Sequence, residues 1–114
     1  AARTVVVNTI VALEIAYLAE RFDANKAKEL GIVNFVVPRA NLEAETNKLM
    51  QRLANGPTFA YGEVKTLMHE SLETGFDAQL HREAEAIARC AASADHLEGV
   101  TAFVEKRKPA FKGK

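Results

Sequence analysis

Tryptophan is absent from this sequence of 114 residues, cysteine occurs once and proline three times. A single cysteine excludes an internal disulfide and a four-cysteine metal site, and it suits a reducing compartment. So few prolines, with no tryptophan, match a small all-β sandwich poorly. No apolar run approaches the roughly 18 to 20 residues that a membrane span needs. The opening Ala1-Ala2-Arg3-Thr4 starts no signal-peptide pattern. We therefore expect a cytoplasmic protein without a membrane partner. Neither sign of charge is in excess, because 15 basic residues balance 15 acidic ones and the formal net charge is zero. What remains is ordinary for one globular domain, with 48% apolar and 26% charged residues.

Helix signals dominate that remainder. Thr9 to Ala19 is rich in alanine and leucine, dense enough in apolar positions to suggest a helix buried on most sides. The β-branched run 4–7 before it reads as helix or as strand, with helix preferred. Asp23 is placed to cap a short helix through Leu30, with Gly31 as its stop. Ile32-Val33-Asn34-Phe35-Val36-Val37, ended by Pro38, is a β-type run, though one strand makes no sheet by itself. Asn41 is read as the cap of a third helix to about Ala54, with Leu42, Leu49, Met50 and Leu53 as its stripe. A fourth spans roughly 58–73. A fifth is capped by Asp77, its inner face being Leu80, Ala84, Ile87, Ala88 and Ala91. A sixth is capped by Asp95 and runs from His96 to about Lys108. The expected fold is mainly α, with about six helices, one short β-type segment and a single domain over 1–114.

Chemistry is harder to find. His69-Glu70-Ser71-Leu72-Glu73 resembles half of a zinc-protease helix motif, but Glu73 stands where the second histidine belongs, and one imidazole cannot hold a catalytic zinc. His81 and Glu85 have the spacing of a surface helix pair, and His96 lies in a first helical turn. Cys90 sits among alanines with no histidine three or four positions away, so it reads as a buried small hydrophobe. Glu43/Glu45 and Glu83/Glu85 are separated by two, which sends them to different faces of a helix. The residues by themselves thus yield no catalytic set, no metal site and no resident cofactor.

Residues 105–114 carry Lys106, Arg107, Lys108, Lys112 and Lys114 against Glu105, and the preceding 104 residues are acidic by the same margin. This tail reads as a solvated terminus favoured by the helix dipole or as a local anion site. Nucleic acid is not expected as a partner, since no aromatic stacking platform or second basic stripe accompanies it.

Several segments in series carry a resemblance. Arg21-Phe22-Asp23-Ala24, Ala27-Lys28-Glu29-Leu30-Gly31-Ile32-Val33-Asn34 and Val36-Val37-Pro38 come first. Leu53-Ala54-Asn55-Gly56-Pro57 with Lys65 follows, then Leu80, Glu83, Asp95 and Glu98-Gly99-Val100. The ending is Ala102-Phe103-Val104-Glu105-Lys106-Arg107-Lys108-Pro109-Ala110-Phe111-Lys112-Gly113. In this order they resemble the C-terminal region of the enoyl-CoA hydratase/isomerase (crotonase) family, from about residue 10 onward. The match departs at Leu18-Ala19, where the family usually has Thr-Gly.

The resemblance implies a C-terminal, helical, oligomer-forming portion of an enzyme that acts on acyl-CoA thioesters through a stabilised enolate. The family's oxyanion hole and catalytic acids belong to an N-terminal spiral of ββα units with no counterpart here, so the chain alone is expected to be inactive. One position carries over: Lys106 matches a lysine that can meet a CoA phosphate of a neighbouring subunit. An aromatic that lines the same site in some members falls at Ile87, where stacking is lost. Homo-oligomers, trimer-based in the family, are the expected partners. Helices deprived of the spiral core would show apolar faces to water. A few hundred Å² of such surface provides several kcal/mol of association drive at about 25 cal/mol per Å². A non-enzymatic helical assembly module that keeps the same contact surface is the alternative reading.

Overall fold

The structure, a computed structural model, describes residues 9–114, so the run 4–7 lies outside the described residues. Among the described residues six α-helices follow one another: Thr9–Leu18 (α1), Ala24–Glu29 (α2), Leu42–Ala54 (α3), Thr58–Glu70 (α4), Phe76–Ala91 (α5) and Ala94–Val104 (α6). A 3₁₀ turn, Arg39–Asn41, precedes α3. The mainly helical expectation holds. The chain divides into two compact units, Ala1–Glu45 and Thr46–Lys114.

In the first unit, α1 ends at a backbone position of the wrong hand for its residue. Ala19 has φ 49°, while its N–H donates to the Ile15 carbonyl at 3.1 Å. A left-handed conformation costs a residue with a Cβ about 1–2 kcal/mol, which is the physical reason glycine suits this place. The apolar positions of α1 are not buried as its composition suggested: Ile10 is 72% exposed and no residue of α1 is buried.

α2 forms as its ends dictate. The Asp23 carboxylate accepts from the Lys26 N–H at 2.8 Å. At the other end Gly31, with φ 74°, donates to Lys28 O at 3.0 Å, and Ile32 donates to Ala27 O at 2.9 Å. This pair of bonds satisfies the last carbonyls of the helix. The β-type run 32–37 is corrected here. No strand occurs among the described residues, and a lone extended segment has no ladder partner to complete its hydrogen bonds. Asn41 likewise caps nothing; it closes the 3₁₀ turn by donating from its N–H to Pro38 O at 2.8 Å.

In the second unit, α4 and α5 form an antiparallel pair. Glu63 meets Arg89 and Glu70 meets Arg82, so the partner number falls as the α4 number rises. Arg89 forks onto Glu63 with Nε at 3.0 Å and Nη2 at 2.7 Å, and Arg82 reaches Glu70 at 2.6 Å. Gln79 Nε2 adds a bond of 3.4 Å to Leu67 O. Between these contacts lies Ala86, only 2% exposed. The side of α5 turned toward α4 is therefore the polar and small one.

This overturns the expected inner face. Leu80, Ala84, Ile87, Ala88 and Ala91 are all exposed, Ile87 at 69%. Periodicity marks an apolar stripe on α5, but a stripe alone does not say what covers it, and here the face toward α4 is the polar one. The buried apolar side chains among the described residues are three alanines, Ala27, Ala86 and Ala102. Helix starts shift as well. Gly75 stands at the N-cap of α5, so Asp77 lies inside its first turn. Ser93, not Asp95, caps α6, its Oγ accepting from the His96 N–H at 3.1 Å. α4 stops at Glu70, where Thr74 Oγ1 donates to Glu70 O at 2.8 Å.

Candidate functional site

The candidate site is the end of α6 with the segment that follows it. α6 stops at Val104 rather than near Lys108. Lys106 adopts φ 55°, its N–H donating to Phe103 O at 3.2 Å while Arg107 donates to Ala102 O at 3.0 Å. This is the helix-ending turn in which glycine is the usual occupant, and here a lysine fills it with its side chain exposed.

Beyond that turn the chain doubles back along α6. Arg107 grips Glu98 with both terminal nitrogens and reaches Glu105 Oε2 with Nε at 2.6 Å. The Ala110 N–H donates to Glu98 Oε1 at 2.7 Å. One turn nearer the helix start, the Lys112 and Gly113 N–H groups donate to the two oxygens of Asp95 at 2.7 and 2.9 Å. The Asp95 N–H in turn donates to Lys114 O at 3.0 Å. Asp95 is 4% exposed, so it anchors the strap instead of capping its own helix. Gly113, with φ +72°, sits where a Cβ would lie 2.5 Å from Thr58 Oγ1.

The electrostatics follow from these contacts. The Arg107 guanidinium, helped by the Ala110 N–H, holds the Glu98 carboxyl down at about 2. Glu98 first and Glu105 second push the Arg107 guanidinium above its ordinary value. The basic tail is thus less basic than it reads, because two carboxylates offset Arg107.

A groove of about 420 Å³ lies beside the strap, lined mainly by Ala60, Cys90, His96, Val100, Phe103 and Phe111. It brings Cys90 and His96 to one surface, which linear spacing had kept apart; Cys90 is half-buried with a free thiol. Phe111 packs its ring on Gly99, 3.5 Å from where a Cβ would stand. The other candidates do not converge. Glu83 accepts from Gln79 at 3.3 Å, whereas Glu85 lines a separate charged groove with Arg82 and Arg89. Among the described residues no group of histidine, cysteine and acidic side chains could hold a metal. None of their helices is long and apolar enough to cross a membrane. Sequence reasoning missed Glu98 and Asp95 as anchors, since both pair across 9 to 18 residues rather than at helical spacing.

The sequence profile of the enoyl-CoA hydratase/isomerase family matches residues 3–114. The chain belongs to that family. Within it, the chain is similar to the crotonyl-CoA hydratase of Syntrophomonas wolfei, with 35% identity over 89% of this chain and 39% of that protein. It is also similar to the 1,2-epoxyphenylacetyl-CoA isomerase of Escherichia coli, at 35% over 90% of this chain and 39% of that protein. The crystal structure of the Bacillus anthracis enoyl-CoA hydratase superposes with a TM-score of 0.89 at 31% identity, covering 97% of this chain and 43% of that one. The chain therefore spans about two fifths of the length of the hydratase/isomerase relatives it matches.

Proposed function

We propose that this chain is the C-terminal helical, oligomer-forming portion of an enoyl-CoA hydratase/isomerase-type enzyme, working in the cytoplasm on acyl-CoA thioesters through a stabilised enolate. In this reading the catalytic acids and the oxyanion hole lie in the part of the relatives that this chain does not span. The chain supplies subunit contacts, and Lys106 meets a CoA phosphate bound to a neighbouring subunit. The carrying observation is the uncovered apolar side of α5, on a chain that spans two fifths of its relatives. A helix that turns its polar face to its own chain leaves its apolar face for another surface.

The exposed ammonium of Lys106, at a fixed turn and outside the Arg107 pairing, supports the phosphate contact. Purified chain is expected to self-associate, trimers being the family's pattern, and to give no hydration of crotonyl-CoA. Turnover by the chain alone would overturn the placement of the catalytic half elsewhere. A strictly monomeric species at micromolar concentration in sedimentation would overturn the assembly role.

A further inference from the structure

The geometry points to Arg107 and Glu98 as positioning residues for Lys106, a role that rests on the phosphate contact given under Proposed function. Lys106 is held at φ 55°, a conformation that glycine adopts freely and a lysine does not. The residues on either side of it are tied to each other, because Arg107 Nε donates to Glu105 Oε2 at 2.6 Å. The same guanidinium forks onto Glu98, on the body of α6, at 2.6 and 3.0 Å. Glu98 is itself fixed by the Ala110 N–H at 2.7 Å. One planar group thus staples the residue before Lys106, the residue after it and the helix beneath. A lysine ammonium at that place could not do so, since it lacks the planar fork. Arg107 faces two carboxylates and adds little attraction for an anion, so its part is to fix the backbone from which the Lys106 ammonium reaches a phosphomonoester.

The test uses the 114-residue chain at low salt, with adenosine 3′,5′-bisphosphate as the titrated probe and calorimetry as the readout. Lys106→Gly, which keeps the turn and removes the ammonium, is expected to weaken binding about tenfold. Arg107→Lys, which keeps the charge and loses the fork, is expected to weaken it by a similar factor, with unchanged helix content by circular dichroism. In the Lys106→Gly background, Arg107→Lys is expected to add nothing, whereas a general loss of structure would weaken both backgrounds alike. Glu98→Gln should act in the same direction as Arg107→Lys. If Lys106→Gly weakens binding while Arg107→Lys binds as the parent does, or if the two losses multiply, positioning is refuted and the phosphate contact stands. If the parent chain binds the probe and Lys106→Gly binds it equally well, the phosphate contact fails and this role fails with it.

Discussion

Arg107 meets Glu98 across nine residues of sequence, Nη1 on Oε1 at 2.6 Å and Nη2 on Oε2 at 3.0 Å. That fork makes the strap after α6 a folded element rather than a loose end, and its acid sensitivity follows. The folded-state carboxyl of Glu98 sits at about 2 against an ordinary 4.5. Its contribution is complete above the ordinary value and is lost as pH falls through the depressed one. Urea midpoints of the parent chain are expected to decline between pH 4.5 and 2, and Glu98→Gln should flatten that decline. Equal slopes for the two proteins would refute the linkage.

Ala19 gives a second expectation. Replacing it by glycine removes the penalty of φ 49°, set against the greater freedom of glycine in the unfolded chain. We expect Ala19→Gly to stabilise the first unit by up to about 1 kcal/mol, read as slower amide exchange through α1 and α2.

Two glycines of the second unit should behave oppositely. Gly113→Ala places a Cβ against Thr58 Oγ1 in a left-handed conformation, and a loss of about 2 kcal/mol is expected. Adding Thr58→Ala should recover part of it. Gly99→Ala meets only the edge of the Phe111 ring at ordinary contact distance and gains helix propensity of up to about 1 kcal/mol. Chemical denaturation of the three variants distinguishes these signs.

The uncovered stripe of α5 leads to the last prediction. Ile87→Glu and Leu80→Glu touch no buried contact, since both positions are exposed, so helix content should be unchanged. Burying such a side chain contributes roughly 1.5–3 kcal/mol. Each substitution should therefore weaken self-association at least about tenfold in sedimentation equilibrium. Undiminished association would place the subunit contact on another face.

How much of this could be read from the residues depended on range. Asp23 and Gly31 act through bonds of three to five residues, and their composition announces them. Asp77 and Asp95 have the right chemistry for caps, yet Gly75 and Ser93 stand at the N-caps. Asp95 is drawn to N–H groups 17 and 18 residues away, a partner that no local pattern displays. The run 32–37 has strand composition and no strand to join among the described residues, so a tertiary absence overrode a local preference. Lys106 could be located by resemblance, but its left-handed backbone could not, because the sequence places a lysine where the turn favours glycine.

The seam between α4 and α5 is fastened by Glu63–Arg89 and Glu70–Arg82, while the outer side of α5 is oily. These two sets of contacts respond in opposite directions to ionic strength: added electrolyte screens the carboxylate–guanidinium seam, and sulfate or phosphate strengthens burial of the oily side. A concentrated kosmotropic buffer would therefore favour joining copies over tightening the hairpin within each copy.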